Sequence, residues 1–594
     1  MRIRPAQEVV HWLEVGRGAG AIRLLVAALV LLALTWWYDL SQARNFAAPE
    51  AMEAAQVARN LARGEGFTTQ VVRPLTLQWV QDRQGVEAGL GRRPHPDLFN
   101  PPFYPLVLAG WMKLLPFQYP IGERFWRYQP EFLITILNQL LFFASVALAA
   151  RLAGRLMGRE AGWLLALLLL ASELLWRFSA SGLSTLLALL LTVGLLDVLV
   201  RLEAAAREDA RRGAVWFLGW GAGAGLLLGL LGLTRYSGLV LILPVTAFIV
   251  LYLGRRALPV LVITWVVGAA VMVPWLMRNE RVSGTWFGVP GHALYAETPR
   301  FPGDRLERSF QPDLSLVETG DVIQKGVEGL RDLLRDDLLR LGGGWFGAFV
   351  LVGLLGQYRE PGVRRLRVFV LLSLVALAVA QTLGRTHLSA TTPTVNTENL
   401  LVLLTPGLFL LGVAFYRGLL ERFDLPFPEF RHVLSAILVA GMAAPLLLGV
   451  FGRSPGPVVY PPYYPPHLQQ PVSLLKSSEV LMSDMPWATA WYGDRTSVWT
   501  TLDAQDAFYQ VNDEHHHLTA LLLTPLTMDA PFRRDILQGR SHDWARLAVE
   551  VLLRTNVPTG FPLRYAWSPG FPDHLFLADL LLAEREGWLQ PASP

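Results

Sequence analysis

Long apolar segments, separated by shorter polar ones, dominate the first 451 residues of the chain. About 20 apolar residues in a helix cross the hydrocarbon core of a bilayer, so each long segment is a candidate transmembrane helix. The candidates are 21–38, 131–151, 161–177, 182–200, 214–233, 236–253, 257–277, 342–357, 368–384, 398–416 and 433–451. This pattern predicts a polytopic α-helical membrane protein with about eleven transmembrane helices.

Arginine placement predicts the orientation of these helices. The first follows Arg2, Arg4, Arg17 and Arg23 and lacks a small-residue cleavage site, as in an uncleaved signal anchor with a cytoplasmic N-terminus. Alternating crossings then put five short arginine-bearing loops on this same side, as the positive-inside rule requires. These loops lie at 151–159, 201–212, 255–256, 359–367 and 417–431.

Three larger segments then lie on the opposite, outer side. Two are outer loops, at 39–130 and 278–341, within a membrane region that extends over 1–451. A Pro- and Tyr-rich linker follows at 452–477, and its prolines argue against regular helix or inner strand. Across 478–594, short apolar runs alternate with helix-like stretches, which predicts a soluble α/β domain on the periplasmic side.

The segment Pro101–Leu115 is also apolar, but a crossing there would reverse the side of every later loop. We therefore expect a helix that lies in or dips into the outer leaflet. A row of glycines, including Gly221, Gly225 and Gly229, lies inside one candidate span without a preceding strand, which indicates close helix packing and not a dinucleotide loop.

Composition removes several classes of function. The chain has no cysteine, which excludes disulfides, zinc thiolate sites, iron–sulfur clusters and cysteine nucleophiles. Its net charge of +4 comes from 52 basic and 48 acidic residues without a basic stripe, so nucleic acid is not expected as a partner. Lysine occurs only three times, which is typical of a GC-rich bacterial genome. We therefore expect the bacterial inner membrane as the location.

The first outer loop contains an acidic helix start. From Pro49, alanines recur at helical spacing, and Gly64 and Gly66 end the helix. Glu50 and Glu53 lie in its first turn, where acidic residues either favour the helix dipole in solvent or serve a reaction. Both interpretations remain open at this level.

Other polar residues lie at the predicted outer ends of spans. Arg235 and Arg278 follow spans, and a cation there either meets an anion such as phosphate or reaches the lipid headgroups. Glu398 begins a span, where it either caps the helix or has a function. His95 and Asp97 precede the interfacial helix near Tyr104, in a cluster that also suits an interfacial anchor. Adjacent histidines at 515–517 point in different directions, so no metal site is assigned there.

These motifs, in this order, resemble the GT-C class of glycosyltransferases, polytopic enzymes that include protein mannosyltransferases and the lipid A aminoarabinose transferase. The resemblance covers about 1–420. It rests on the acidic residue before Ala58–Phe67, the Pro-Pro-x-Tyr-Pro helix start at Pro101–Pro105, the Leu-Thr-Arg span end at Leu233–Arg235, and the Pro-Trp-x-x-Arg-Asn element at Pro274–Asn279.

The resemblance implies an inverting transfer of a sugar from a polyprenyl-phosphate donor to a glycan, lipid or protein acceptor at the outer face. A carboxylate, Glu50 or Glu53, would act as the general base, and Arg235 and Arg278 would bind the lipid phosphate. His95, Asp97, Tyr104 and Glu398 are the further candidate substrate-binding residues. No residue is assigned to a metal or other cofactor, although a divalent metal is compatible with this chemistry.

Two departures from the class pattern keep other functions open. The class usually has aspartate where this chain has glutamate, and its second outer loop often carries an acidic residue, which Phe178–Ser184 lacks. A transporter or flippase of a lipid-linked sugar is the first alternative. An inactive relative that binds a glycolipid is the second.

Overall fold

The computed structural model describes residues 17–42, 45–85, 90, 94–122, 125–208, 212–343, 345–423, 427, 429–452, 464–528, 542–554, 557–558, 560–567 and 574–587. Arg2, Arg4 and Arg211 of the predicted cytoplasmic side lie outside these residues. The described chain is mostly helical, with short strands in the first outer loop and in the C-terminal region.

The helices are numbered in chain order. They are α1 (Arg17–Ser41), α2 (Pro49–Arg63), α3 (Pro74–Gln84), α4 (Phe103–Leu114), α5 (Gln129–Met157), α6 (Arg159–Leu170), α7 (Glu173–Ser179), α8 (Thr185–Arg207), α9 (Ala214–Thr234), α10 (Ile242–Tyr252), α11 (Ala257–Ser283), α12 (Arg305–Arg308), α13 (Thr319–Asp332), α14 (Leu338–Leu341), α15 (Phe346–Leu355), α16 (Pro361–Leu383), α17 (His387–Thr391), α18 (Thr405–Leu420), α19 (Phe430–Phe451), α20 (Pro465–Val472), α21 (Pro486–Gly493), α22 (Asp506–Tyr509), α23 (Pro525–Met528), α24 (His542–Arg554) and α25 (Leu580–Arg585).

The strands are numbered in the same way. They are β1 (Thr68–Thr69), β2 (Val71–Val72), β3 (His95–Pro96), β4 (Val480–Ser483), β5 (Ser497–Trp499), β6 (Leu518–Leu523), β7 (Tyr565–Trp567) and β8 (Leu575–Ala578).

Seven helices in the described chain are long and apolar enough to cross a membrane. The bent pair α6 and α7, whose axes differ by 64°, makes an eighth if it is one broken span. Three shorter apolar helices, at Leu25–Ser41, Tyr236–Tyr252 and Phe346–Leu355, coincide with the remaining predicted segments. Every predicted segment is therefore helical and the protein is a membrane protein, while eleven crossings remain a prediction.

Small residues bring α9 and α11 together. A Cβ on Gly225 would lie 2.3 Å from the Thr264 carbonyl oxygen, and one on Gly229 would lie 2.7 Å from Val271 Cβ. The Thr264 hydroxyl also donates to the Gly221 carbonyl oxygen at 2.9 Å. The glycine row thus allows two helices to approach at backbone distance, as small residues do in membrane proteins.

Several predicted cytoplasmic loops meet at one end of the bundle. Arg417 donates to the carbonyl oxygen of Met157, and Arg365 forms an ion pair of 2.5 Å with Glu203. These contacts join α18 to α5 and α16 to α8, and an ion pair between Arg155 and Asp197 joins α5 to α8, so the loops lie on a common side. That this side faces the cytoplasm remains a prediction.

At the other end lies a six-stranded sheet with the order β2-β5-β4-β6-β8-β7. The first four strands are parallel, and β8 is antiparallel to both β6 and β7. Strand β2 comes from the first outer loop, where Val71 pairs with Ser497. The sheet therefore joins the first outer loop to the C-terminal region.

The segment predicted as an extended linker contains a helix. α20 extends over Pro465–Val472, within the part where prolines led us to expect no regular helix. Pro465 and Pro466 occupy its first turn, where a missing N–H costs no hydrogen bond, and Pro471 lies in its last turn. Proline position, and not proline number, decides whether this helix forms.

Two buried charged side chains attach helix α21 to the membrane region. Arg59 of α2 donates to the carbonyl oxygens of Ala490 (2.7 Å) and Trp491 (2.9 Å). The carboxylate of Glu131, at the start of α5, accepts from Trp491 Nε1 (2.9 Å) and from the Tyr492 hydroxyl (2.7 Å). These contacts fix the C-terminal region directly above the first outer loop.

Candidate functional site

A cavity of about 340 Å³ lies where the first outer loop meets the ends of several membrane helices. Its polar lining residues are Glu50, Asn100, Tyr104, Ser184, Thr234, Arg235, Tyr236, Ser237, His292, Glu307, Gln381, Thr386, Thr397 and Glu398. The rest of its lining consists mainly of Leu, Val, Phe, Ala, Pro and Gly. The cavity thus combines an apolar wall with a small group of charged side chains, as ligand pockets commonly do.

Glu50 enters the cavity from the first turn of α2. The helix begins at Pro49, since the fixed φ of proline suits the first helical position. Glu50 is only 4% exposed, and its Oε1 accepts from the Thr397 N–H (3.1 Å) and hydroxyl (2.8 Å). Its Oε2 is buried and has no hydrogen-bond partner among the described residues. One carboxylate oxygen is fixed, and the other can accept a proton from a ligand.

Arg235 enters the same cavity directly after α9, in an extended conformation with φ −152°. Its Nε donates to the Ser184 hydroxyl at 3.3 Å, and its Nη2 donates to the Thr185 hydroxyl. Its Nη1 is buried and lacks a partner among the described residues. The charges of Glu50 and Glu398 act on this guanidinium. Of the described lining residues, Arg235 is the one with a permanent positive charge.

Four lining residues carry a buried polar atom without a partner in the described chain. These atoms are Glu50 Oε2, Asn100 Nδ2, Arg235 Nη1 and His292 Nδ1. An unpaired buried polar group costs about 1–3 kcal/mol, and most native proteins keep few of them. A polar ligand in this cavity would supply partners for these four atoms.

Glu398 and Tyr104 also line the cavity. The Glu398 carboxylate accepts from the Thr386 N–H at 3.0 Å and from the Thr386 hydroxyl. Burial raises the pKa of Glu398 to about 7, the Thr386 hydrogen bonds oppose this rise, and the nearby charge of Glu50 adds to it. The Tyr104 hydroxyl donates to the Gly182 carbonyl oxygen at 2.6 Å, which connects α4 to the second outer loop.

Glu53 lies one turn from Glu50 but does not line the cavity. Its two carboxylate oxygens accept from Arg73 at 2.7 Å and 2.9 Å, and Arg73 also contacts Glu307. Burial raises the pKa of Glu53 to about 7, while Arg73 opposes the rise. Glu53 is thus occupied by a buried ion pair, whereas Glu50 keeps a free oxygen.

His95, Asp97 and Arg278 lie together outside the cavity lining. Arg278 donates to the Asp97 carbonyl oxygen at 2.6 Å, and the Asp97 carboxylate accepts from the Asn100 N–H at 3.0 Å. The His95 ring lies 3.2 Å from the Thr76 hydroxyl, and burial lowers its pKa to about 4, so the ring is neutral. The three residues support the segment that leads into α4.

Two residues of this network were not predicted from the sequence. Glu307 lies in the outer loop at 278–341 and lines the cavity. Arg73 forms ion pairs with both Glu307 and Glu53. Both lie in polar segments where charged residues are common, so spacing alone gives no signal for them. The hydroxyls of Ser184 and Thr185, in the acid-free second outer loop and at the start of α8, were also not singled out.

No protein-family model matches the chain, and no curated protein matches it in sequence. Solved structures do resemble it. The Archaeoglobus fulgidus oligosaccharyltransferase in a complex with Zn and sulfate is 10% identical, with a TM-score of 0.53 over 93% of this chain and 73% of that protein. Apo ArnT from Cupriavidus metallidurans is 14% identical, with a TM-score of 0.51 over 95% and 98%.

The chain therefore has the fold of polytopic membrane glycosyltransferases. This fold is that of the GT-C class, as the order of the sequence motifs implied. The oligosaccharyltransferase structure contains zinc, but the described part of this chain holds no group of three or more His, Asp or Glu side chains arranged for a metal ion.

Proposed function

We propose that this protein is a glycosyltransferase that moves a sugar from a polyprenyl-phosphate donor to an acceptor hydroxyl at the outer face of the bacterial inner membrane. One observation carries the proposal. A buried carboxylate, Glu50, and a buried cation, Arg235, line one cavity at the outer ends of membrane helices, and each carries a buried polar atom without a partner among the described residues. The GT-C fold supports a transferase.

Arg235 is the proposed phosphate ligand. A polyprenyl phosphate has its chain in the bilayer and its phosphate at the interface, so its binding site needs a cation at the end of a span. Arg235 follows α9 and retains a free N–H donor, while Leu183 and Leu400 contribute apolar lining nearby. Its guanidinium would also stabilise the negative charge that the phosphate gains when the sugar departs.

Glu50 is the proposed general base. It would accept the proton of the acceptor hydroxyl while the hydroxyl oxygen attacks the anomeric carbon and the bond from that carbon to the phosphate oxygen breaks. The Thr397 hydrogen bonds hold the carboxylate in place for this transfer. Because the nucleophile attacks opposite the leaving phosphate in one displacement, the anomeric configuration inverts.

Glu398 supplies a further carboxylate of the site. It comes from the segment before α18, whereas the class pattern often has its second acidic residue in the second outer loop. With Glu398 near Glu50 and Arg235, and Glu307 also in the lining, the cavity contains three carboxylates despite the acid-free loop. We assign Glu398 to donor-sugar binding, together with Tyr104, and assign Arg278, His95 and Asp97 to support of the loop.

A transfer assay tests this function. The purified protein in lipid nanodiscs is incubated with radiolabelled undecaprenyl-phosphate hexoses and pentoses and with a bacterial envelope extract as the acceptor source. We expect label to move from the lipid to an extract component with a matching release of undecaprenyl phosphate. Movement of the intact lipid across vesicle membranes without transfer would instead indicate a flippase. Binding without either event would indicate an inactive glycolipid-binding protein.

A further inference from the structure

A second cavity, of about 520 Å³, lies between the start of α2 and the C-terminal sheet. The first outer loop contributes Ala47 and Pro49, and the chain near α17 contributes His387. The C-terminal region contributes Asp484, Trp487 and Trp499. None of these residues has a role in the proposed donor site.

The C-terminal side of this cavity is the carboxyl edge of a parallel sheet. Asp484 directly follows β4, Thr500 directly follows β5, and Leu526 and Thr527 come shortly after β6. The three strands are neighbours and parallel, so their carboxyl ends meet at one edge. In open α/β sheets, ligands bind in the crevice outside this edge.

Aromatic rings form one wall of the cavity. The rings of Trp487 and Trp499 meet edge to face, with centroids 5.4 Å apart and planes at 89°. The His387 ring lies 5.4 Å from Trp499. Indole rings present apolar faces and an N–H donor, which suits a ligand with both C–H faces and hydroxyl groups.

Polar groups that are fixed by hydrogen bonds to other residues also line this cavity. One oxygen of Asp484, Oδ2, accepts four hydrogen bonds from the backbone and hydroxyl groups of Thr524 and Thr527, at 2.7–3.2 Å. Arg308 pairs with Asp304 at 3.2 Å and donates to the Thr500 carbonyl oxygen at 2.6 Å. Carboxylates fixed in this way recognise hydroxyl groups without having to reorganise.

The two cavities are neighbours. Glu50 lines the first and the adjacent Pro49 lines the second. Glu307 lines the first, and its carboxylate lies 3.6 Å from Nδ1 of His387, which lines the second. A ligand in the second cavity would therefore lie beside the start of α2, which carries Glu50.

We propose that the second cavity binds the acceptor and that the acceptor is a saccharide, whose C–H faces contact Trp487 and Trp499 and whose hydroxyls meet Asp484 and His387. This inference rests on the proposed transferase function and gives the C-terminal region a role in acceptor recognition. The protein would then have two substrate sites, a donor site at the outer ends of the membrane helices and an acceptor site at the edge of the sheet.

Direct binding tests the inference without turnover. Native mass spectrometry of the full chain in nanodiscs, without donor, measures binding of mono-, di- and trisaccharides of glucose, galactose, mannose and N-acetylglucosamine. Leu526→Arg places a long charged side chain at the cavity, and Leu581→Arg makes the same change at an exposed leucine outside its lining. We expect at least one saccharide to bind to wild type and to Leu581→Arg, and about tenfold weaker binding to Leu526→Arg, because the new side chain blocks the site.

A conservative variant and a second ligand keep the outcomes separate. Trp487→Phe keeps an aromatic ring and should weaken saccharide binding by about threefold, in the range of a single aromatic contact. Binding of undecaprenyl phosphate should be unchanged in all three variants. Saccharide binding without sugar transfer would overturn the transferase proposal and leave the second cavity as a saccharide-binding site without an acceptor role. Failure of the whole panel to bind, equal binding by Leu526→Arg, or transfer to peptides alone would overturn the acceptor site.

Discussion

Replacement of Glu50 by glutamine separates the two candidate bases on α2. The change is isosteric, and the glutamine oxygen can still accept both hydrogen bonds from Thr397. The fold should therefore lose little stability, while the carboxylate that would accept the proton is gone. Loss of a general base lowers the rate by about 10²- to 10⁴-fold, which corresponds to about 2.7–5.4 kcal/mol of transition-state stabilisation.

Glu53→Gln is the matched control, since it makes the same change one turn away. It removes one charge from the pair with Arg73, which keeps Glu307 as a partner. Loss of a charge-assisted hydrogen bond costs about 1.5–3 kcal/mol of unfolding free energy. We expect a lower midpoint of thermal unfolding for Glu53→Gln, with transfer activity per folded molecule close to that of wild type.

Initial rates of label transfer from undecaprenyl-phosphate sugar, measured beside thermal unfolding of the same preparations, distinguish the variants. Full activity of Glu50→Gln would refute the assignment of the base. A large loss of activity in Glu53→Gln at an unchanged unfolding midpoint would transfer the role to Glu53. Undecaprenyl-phosphate binding by Glu50→Gln should persist, because Arg235 is intact.

Three further changes test other parts of the structure. Arg235→Gln should weaken undecaprenyl-phosphate binding by about 10- to 150-fold, which corresponds to about 1.5–3 kcal/mol for a lost charge-assisted contact. The same change at the exposed Arg83 should leave the affinity unchanged. Equal affinity of both variants would contradict the phosphate site. Because the folded pKa of His95 is about 4, below its usual value, its contribution to stability is complete above about pH 6.5 and is lost as pH falls toward 4, by at most about 3 kcal/mol. His95→Gln should therefore reduce the fall in the unfolding midpoint between pH 7 and pH 5. The same fall in the variant as in wild type would show that the protonation of His95 does not cause it. Glu131→Gln should lower the unfolding free energy by about 1.5–3 kcal/mol, because an amide cannot accept all the hydrogen bonds from Trp491, Tyr492 and Phe46. An unfolding free energy in detergent equal to that of wild type would show that this contact does not hold α21 in place.

The membrane helices could be predicted because burial in a bilayer requires long apolar segments with satisfied backbone groups. Every predicted segment is a helix, and the apolar segment at Pro101–Leu115 forms the short helix α4 of 12 residues. The sequence allowed individual residues of the cavity to be identified, but not their grouping in one site. Glu50, Arg235 and Glu398 are each conspicuous as a charge at a helix end, but no spacing in the chain shows that they share one cavity.

Tertiary contacts between distant segments account for what the sequence did not predict. Strand β2 has only two residues, too few for an alternating pattern, and it exists because β5 offers a free edge. The buried pairs of Arg73 with Glu53 and Glu307 join two outer loops more than 200 residues apart, and nothing local predicts them. The choice between Glu50 and Glu53 depends on these contacts, so it required the structure.

The pairing of Val71 with Ser497 determines the order in which parts of the protein fold during synthesis. The first outer loop leaves the ribosome early, but the strand that receives β2 is made only after the intervening membrane helices. Contacts with such a large sequence separation form late, because the loop that they close must first be complete. Helix α2, which carries the proposed base, likewise acquires the hydrogen bonds from Arg59 to α21 only after α21 has been synthesised. The proposed catalytic centre is thus complete only after the last quarter of the chain has been made, and we expect a product truncated before α21 to insert in the membrane but to have no transfer activity.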